Sequence, residues 1–474
     1  MVAPSERKGP LGLLSPARWF FGKGLRQDYC ALRSLYPWLA LGLAVRLLLM
    51  PIAAHGDLIS VYFRGHFLAY HGVTNLLAYF KEQYQSASLV VPDYLHGLFL
   101  MLLRYLLPDQ EALFPHAIGA APFPLSISEQ VWLGYWIKQS WVFQALFVMK
   151  LPYLIFDLAT ARLLTMIPEG RNEQLAAFKF WMINPIVIYT TYVYARYDII
   201  ALFLIVVCIY VARNRVSGML ILLAATVLRL FPGLLIIPYA LTVEGCRRDR
   251  IRLILLGTVP FVALVQALNA LGLLTFTSSI LGFWIQWVVG PELPTGPQFL
   301  VGGTLAGEAV FLLPFLYTLW LAVLVLFPGR DRERLPLAFL STVSLYLTVG
   351  FLHPQYFSWI TPFVALNLSR RFVRLAHAGQ MATFPVLIMY WGKWATTYLF
   401  AALNPAMFVT LPSVTDIISN FLPAPLMLNI FRSIFSGFSA IMPIFVIALL
   451  IRRRVNIFQN GSGVTDRPLF RSET

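Results

Sequence analysis

The chain has 474 residues, of which 59% are hydrophobic and only 12% are charged. Soluble domains carry roughly 25% charged residues, so this composition excludes an ordinary soluble protein and favours an integral membrane protein. The net charge of +15 would suit nucleic-acid binding, but the cations cluster in short segments between apolar runs. The three cysteines, Cys30, Cys208 and Cys246, lie in a span or in or near cytoplasmic segments, so we expect no disulfide.

The apolar runs predict the fold class. Each run is about long enough to cross the ~30 Å hydrocarbon core of a bilayer as a helix. None shows the alternating polarity of β-barrel strands, and helices satisfy their own backbone groups in lipid. We therefore predict an all-α, polytopic transmembrane bundle with about 12 crossings plus a re-entrant hairpin.

The predicted division of the chain has four parts. The first 35 residues are polar and basic and do not form a cleavable signal. The parts are a cytoplasmic N-terminal segment (1–35), a main transmembrane module (36–370), C-terminal transmembrane helices (371–451) and a cytoplasmic tail (452–474).

Lys and Arg set the predicted orientation, because cytoplasmic segments are enriched in them. Beyond the N-terminal segment the cations cluster at 171–179, 213–215, 247–252, 330–334, 370–374 and 452–454. The outer side then has three substantial segments: residues 55–91, a Trp-rich loop at 283–298, and the loop before the last span. Two points stay open: the side of residues 107–130, and whether residues 216–243 form a re-entrant hairpin or two short spans.

Asp57 is the most informative single residue. It follows the first apolar span, Tyr36–Ala54, where the chain leaves the bilayer. A carboxylate at this boundary suits a general base that takes a proton from a hydroxyl while a second substrate stays anchored in lipid. It equally suits an N-cap for the next helix, and position alone does not separate the two. We expect amphipathic interfacial helices at 57–69 and 73–80.

Charged residues also occur inside the apolar runs, where each costs roughly 2.5–3.5 kcal/mol at a helix centre. They are Arg46, Lys150, Asp157, Arg162, Arg229, Lys393 and Arg432. A structural pair on another helix or snorkelling to the interface explains most of them. Arg229 lies at the apex of the 216–243 hairpin, where it can meet a lipid phosphate or pair with an acidic residue.

Two predicted outer turns add polar side chains on the side of Asp57. They are Arg196-Tyr197-Asp198 and His353-Pro354-Gln355-Tyr356. As isolated motifs they are also typical of helix caps and turns.

The order of these motifs resembles the GT-C superfamily of polytopic glycosyltransferases. The closer resemblance is to bacterial polyprenol-phosphate-mannose-dependent transferases and to the catalytic subunit of the GPI mannosyltransferase. It covers residues 36–370 and rests on Asp57, Lys150-Leu151-Pro152 leading to Asp157, Trp181-Met182-Ile183-Asn184-Pro185, Arg196-Tyr197-Asp198, Leu228-Arg229-Leu230-Phe231-Pro232 and His353-Pro354-Gln355-Tyr356. Relatives often have Gly-Gln-Tyr-Asp around the fourth motif and Lys in place of Arg229, which changes the geometry of the cation.

The resemblance implies an inverting transfer of a sugar from a polyprenyl-phosphate donor to a lipid, glycan or protein hydroxyl. Mannose is implied by the resemblance only. The expected location is the outer face of a bacterial plasma membrane. Asp57 would be the general base. The implied donor-phosphate residues are Arg229, then Lys393, Arg432 and His353. The implied sugar and acceptor residues are His55, Arg64, His66, Arg196, Tyr197, Asp198, Gln355 and Tyr356, with Trp284 and Trp287 for stacking.

No cofactor is predicted, and no metal site, because the first loop lacks an Asp-x-Asp pair. The expected partners are the lipid-linked donor, the acceptor and the membrane, and not nucleic acid. One alternative is a transporter or flippase for a lipid carrier or sugar, which also uses intramembrane charges and broken helices but usually has two related halves. No such repeat is present in the sequence. A non-catalytic scaffold is the other alternative, and it predicts no effect of Asp57→Asn.

Overall fold

The described chain is helical, which confirms the predicted all-α class. One short exception is an antiparallel pair in which β1 (Leu300–Val301) lies beside β2 (Val310–Phe311). The computed structural model describes residues 29–84, 91–116, 129–243, 245–270, 300–301, 310–327, 333–350, 352–389, 391–421 and 423–461. Most of the basic N-terminal segment and the predicted stacking residues Trp284 and Trp287 lie outside the described residues.

The N-terminal part contains a long first helix, a group of shorter helices and a second long helix. These are α1 (Tyr29–Ile52), α2 (Gly56–His71), α3 (Leu76–Tyr84), α4 (Val91–Leu103), a 3-10 turn (Arg104–Leu106), α5 (Gln110–Leu113), α6 (Glu129–Trp136) and α7 (Val142–Leu164).

The central part is interrupted repeatedly by turns. Its elements are α8 (Arg171–Ile183), α9 (Pro185–Ile188), a π turn (Tyr189–Val193), α10 (Asp198–Tyr210), α11 (Arg215–Leu228), a 3-10 turn (Phe231–Leu235), α12 (Ile236–Thr242) and α13 (Arg247–Ala270). The break at Asn184-Pro185 has a local cause, because the Asn184 side chain accepts hydrogen bonds from the N–H groups of Ile186 and Val187.

The C-terminal part ends in the longest of the described helices. Its elements are α14 (Leu312–Leu326), α15 (Arg334–Val349), a 3-10 turn (Pro354–Ile360), α16 (Thr361–Leu366), α17 (Arg371–Met389), two 3-10 turns (Gly392–Ala395 and Thr397–Phe400), α18 (Pro405–Thr410), α19 (Val414–Ile418) and α20 (Ala424–Gly461).

Three described helices are long and apolar enough to cross a membrane: Ser34–Ile52, Val142–Leu164 and Leu426–Arg454. Several further apolar helices have only 10–17 residues. These helices are compatible with a membrane protein. The predicted number of about 12 crossings is larger than these three candidate spans, and it stays a prediction.

Helix α2 is buried rather than spread along a surface. Ten of its 16 residues are buried, and α2 packs chiefly on α4 and α6. Gly65 and Gly97 permit the approach to α4, because a Cβ on Gly65 would lie 2.5 Å from the Gly97 nitrogen. The predicted helix at 57–69 is therefore present, but its burial is not that of an amphipathic helix with one free polar face.

Residues 215–242 form a helical hairpin. Helix α11 ends at Leu228, Arg229 is extended (φ −148°, ψ 133°), and the chain then turns back through the 3-10 turn and α12. A contact between the two arms shows the reversal: the Tyr239 hydroxyl in α12 donates to the carbonyl of Arg215 at the start of α11, at 3.1 Å. The 14 residues of α11 span about 21 Å, which is shorter than a ~30 Å hydrocarbon core.

A buried ion pair fixes the first long helices. Arg46 Nε lies 2.6 Å from Asp157 Oδ2, and both side chains are fully buried. The Asp157 carboxylate also accepts from Trp181 Nε1 and the Tyr192 hydroxyl, each at 2.6 Å. The prediction that these charges find partners on other helices is confirmed, and the satisfied carboxylate joins α1, α7, α8 and the π turn. Lys150 is also fully buried, so snorkelling to the interface is not the explanation that applies to this cation.

Candidate functional site

His55, and not Asp57, caps helix α2. His55 has an extended backbone (φ −127°, ψ 142°), and its Nδ1 accepts the N–H of Asp57 at 3.1 Å. Asp57 is the second residue of α2, so the N-cap explanation for its carboxylate is wrong. Burial lowers the pKa of His55 to about 4, with the nearby Asp57 opposing the shift. The imidazole is therefore neutral at neutral pH.

The Asp57 carboxylate forms an ion pair with Arg196. Asp57 Oδ2 contacts Arg196 Nη1, and the two side chains are 10% and 18% exposed. Arg196 reaches this position through an unusual turn, in which the Tyr194 N–H donates to the carbonyl of Tyr189, the first residue of the π turn, at 2.7 Å. Ala195 then adopts φ +55°, a left-handed conformation that costs roughly 1–2 kcal/mol for a residue with a Cβ. Such strain concentrates at functional sites.

A second ion pair joins Asp198 to Arg229. Arg229 Nε donates to Asp198 Oδ1 at 3.2 Å, and Arg229 Nη1 donates to the Tyr197 hydroxyl at 3.0 Å. Trp359 Nε1 donates to the same Oδ1 at 2.7 Å. Asp198 is only 2% exposed, and its Oδ2 has no hydrogen-bond partner among the described residues. Of the two sequence alternatives for Arg229, pairing with an acidic residue is the one present here.

Tyr194 connects His55 to His353. The Tyr194 ring stacks on His55 with 3.9 Å between centroids, and its hydroxyl lies 3.3 Å from His353 Nε2. Trp391 packs edge-on against His353 at 4.4 Å. Burial lowers the pKa of His353 well below its usual range, so its ring offers a hydrogen bond rather than a positive charge.

Aromatic rings pack beneath the Asp198–Arg229 pair. Trp359, which bonds Asp198, stacks on Phe231 with centroids 3.9 Å apart and planes 8° apart. Tyr356 lies 4.1 Å from Trp359. The preceding Gln355 is buried, and its Oε1 has no hydrogen-bond partner in the part of the chain that the structure describes.

The structure places Arg64 and His66 outside these contacts. Arg64 donates to Asp93 at 3.0 Å and to Ser60 at 3.1 Å. It lies about two turns beyond Asp57 on the same face of α2, or about 10.5 Å along the axis. His66 lies among aromatic rings and stacks on Phe114 at 4.9 Å.

Lys393 and Arg432 bind backbone carbonyls. Lys393 Nζ donates to Val409 at 3.3 Å. Arg432 donates to the carbonyls of Leu347 and Gly350 at 2.8 and 2.7 Å, so it closes the C-terminal end of α15. Within the described residues, neither cation hydrogen-bonds to the two ion pairs. Arg432 therefore supports the segment that leads to His353 from a distance.

Three further residues in this region, Tyr194, Trp359 and Trp391, were not predicted from the sequence. An aromatic residue in an apolar run is more often part of the core than of a site. Only Tyr194 had a signal, because it precedes the Arg196-Tyr197-Asp198 motif by two residues.

We name as the polar cluster the residues His55, Asp57, Tyr194, Arg196, Tyr197, Asp198, Arg229, His353 and Trp359. Across the described residues, no three His, Cys, Asp or Glu side chains are grouped so that they could hold a metal ion. No family model matches this chain, and neither a curated protein nor a solved structure is significantly similar to it. The chemistry of the polar cluster is therefore the basis for the function.

Proposed function

We propose that the chain is an inverting glycosyltransferase of the GT-C type, which uses a polyprenyl-phosphate sugar as donor and acts at the outer face of a membrane. One observation carries the proposal: two ion pairs, Asp57–Arg196 and Asp198–Arg229, lie in one polar cluster built from distant segments. This chemistry needs a carboxylate to take a proton and a cation to stabilise the departing phosphate. The cluster supplies both.

Asp57 is the general base in this mechanism. Its carboxylate accepts the proton of the acceptor hydroxyl, whose oxygen attacks C1 of the sugar. The bond between C1 and the phosphate oxygen breaks, and polyprenyl phosphate leaves with the electron pair. The anomeric configuration inverts because attack and departure occur on opposite faces. The 10% exposure of Asp57 leaves the acceptor a route to the carboxylate.

Arg229 is our first choice for the phosphate. Two of its N–H groups bond Asp198 and Tyr197, which fixes the guanidinium, while Nη2 has no acceptor among the described residues. A guanidinium held in place stabilises developing negative charge without reorganising during the reaction. Arg196 is the second cation, because its partner Asp57 changes charge when it takes the proton.

The contacts between basic segments support the predicted orientation. Arg215 pairs with Asp249 at 2.8 Å, and Glu333 pairs with Arg370 and Arg453 at 2.6 and 3.1 Å. Segments that the charge bias assigns to the cytoplasm therefore meet one another. The polar cluster draws on segments that the same bias assigns to the outer side. Residues 215–242 would enter the bilayer as a re-entrant hairpin with Arg229 at its apex.

The test is a transfer assay with the purified full chain in detergent. A panel of polyprenyl-phosphate sugars, with the mannose donor first, is incubated with a membrane glycolipid extract. We expect one donor to be consumed and its sugar to appear on an acceptor with inverted configuration. The alternative is checked with the same chain reconstituted into vesicles. Movement of an intact lipid-linked sugar across the vesicle bilayer, with no donor cleaved, would favour the transporter.

Asp57→Asn should abolish transfer, because an amide cannot take the proton. Asp249→Asn is the matched control, since Asp249 is also paired with an arginine but lies outside the polar cluster, and it should transfer at the parent rate. A folded Asp57→Asn protein that transfers as fast as the control would exclude Asp57 as the base.

A further inference from the structure

Lys150 uses its ammonium group to bind three backbone carbonyls. Its Nζ donates to Met50 at 3.0 Å, to Tyr192 at 2.8 Å and to Ala53. The side chain is fully buried, and an ammonium group has three N–H donors. All three donors of Lys150 are therefore satisfied by carbonyls from two distant segments.

The first segment is the end of helix α1. Its last carbonyls have no partner within the helix, and a cation at this end is favoured by the helix dipole. Lys150 binds Met50 in the last turn and Ala53 just beyond it. The next residues are His55, which caps α2, and Asp57.

The second segment is the π turn that precedes Arg196. Tyr192 is held at both of its polar ends by α7, because its carbonyl accepts from Lys150 and its hydroxyl donates to Asp157. Lys150 and Asp157 lie on the same face of α7, about two turns apart. This face therefore orders the backbone from which the strained Ala195 and Arg196 follow.

We infer that Lys150 is a positioning residue, which fixes the register between the segment bearing Asp57 and the segment bearing Arg196. The effect on transfer rests on the proposed function, but the register itself does not. Lys150 touches neither side chain of the pair. Without the Lys150 ammonium, the carbonyls at the end of α1 and in the π turn lose their shared hydrogen-bond donor. The two segments that bear Asp57 and Arg196 then lose this connection to α7.

Chemical labelling tests the register without any substrate. The folded full chain in detergent is treated with phenylglyoxal, and modification of each arginine is followed by peptide mass spectrometry. We expect Lys150→Met to raise the labelling rate of Arg196 several-fold, with no change at the exposed Arg213. Thr160→Val is the matched control, since it removes a side-chain hydrogen bond of the buried Thr160 that stays within α7 (Oγ1 to the Phe156 carbonyl, 2.7 Å).

An unchanged Arg196 labelling rate in folded Lys150→Met would overturn the inference, as would an equal rise in Thr160→Val. If Lys150→Met does not fold, Lys150→Gln retains donors for part of the set and should show a smaller rise at Arg196. No rise in that variant would overturn the inference equally.

Kinetics then separate positioning from general weakening of the fold. If the donor assay succeeds, Lys150→Met should lower kcat by about 100-fold, the usual order for a misplacement near 1 Å, with little change in donor KM. Lys150→Arg, which keeps a buried cation, should recover part of kcat. If no donor is consumed by the parent, the proposed function fails, while the labelling result still decides the role of Lys150.

Discussion

Asp57 and Arg196 form an ion pair that joins the first turn of α2 to the strained turn before α10. The pair is mostly buried, so each charge depends on the other for stabilisation. A base that is already bonded to a guanidinium must share its oxygens with the incoming hydroxyl. The position of Arg196 therefore affects how readily the Asp57 carboxylate can accept the proton.

The coupling between these two residues is measurable. Breaking a buried pair costs 3–5 kcal/mol, and because this pair is partly exposed we expect Arg196→Gln to cost about 1–3 kcal/mol of unfolding free energy. Adding Asp57→Asn should cost less than the sum of the two single changes. Denaturant unfolding of the four proteins gives the coupling energy. A value near zero would mean that the pair contributes nothing to the fold.

Ala195 offers a test of strain. A left-handed Ala costs roughly 1–2 kcal/mol and a Gly loses roughly 0.5–1 kcal/mol more entropy on folding, so Ala195→Gly should stabilise the chain by about 0.5–1 kcal/mol. Ala201→Gly, inside α10, is the control and should destabilise by about 1 kcal/mol. Equal losses in the two variants would contradict strain at Ala195.

The unfolding free energy should decrease at acidic pH because His55 becomes protonated. Its pKa is about 4 in the folded chain and about 6.5 unfolded, so the unfolded state binds the proton first as the pH falls. This contribution to the unfolding free energy is complete above pH 6.5 and is lost progressively as the pH falls toward 4. The loss at pH 5 is about 2 kcal/mol. His55→Asn keeps a capping side chain but cannot titrate. Unfolding at pH 7.5 and 5 should show a smaller acid loss in this variant, and an identical loss would remove His55 from the effect.

The sequence predicted the turns of the polar cluster better than its contacts. Asp57, Arg196, Asp198, Arg229 and His353 all lie at or next to helix ends, and apolar run length together with charge bias predicts one common side for such ends. The identity of the α2 cap was not predictable, because His55 caps with its imidazole Nδ1 and histidine is not among the residue types preferred at N-caps.

The cations were harder to assign from sequence. An arginine that binds a phosphate and one that closes a helix, such as Arg432, occur in similar apolar runs. Lys150 illustrates the same point, since three carbonyl partners from two segments leave no local pattern. Partners far apart in the chain are set by packing, and a single sequence carries no direct record of them.

The packing of α2 on α4 is the last test, because it sets where Asp57 lies. A Cβ on Gly65 would approach the Gly97 nitrogen to 2.5 Å, and backbone cannot move aside as a side chain can. Gly65→Ala should therefore cost about 1–3 kcal/mol. Gly134→Ala in α6 is the control, because nothing lies within 4 Å of its Cβ, and it should be stabilising by about 0.5–1 kcal/mol. Thermal unfolding of both variants checks this, and a Gly65→Ala protein as stable as the control would show that the helices separate without cost.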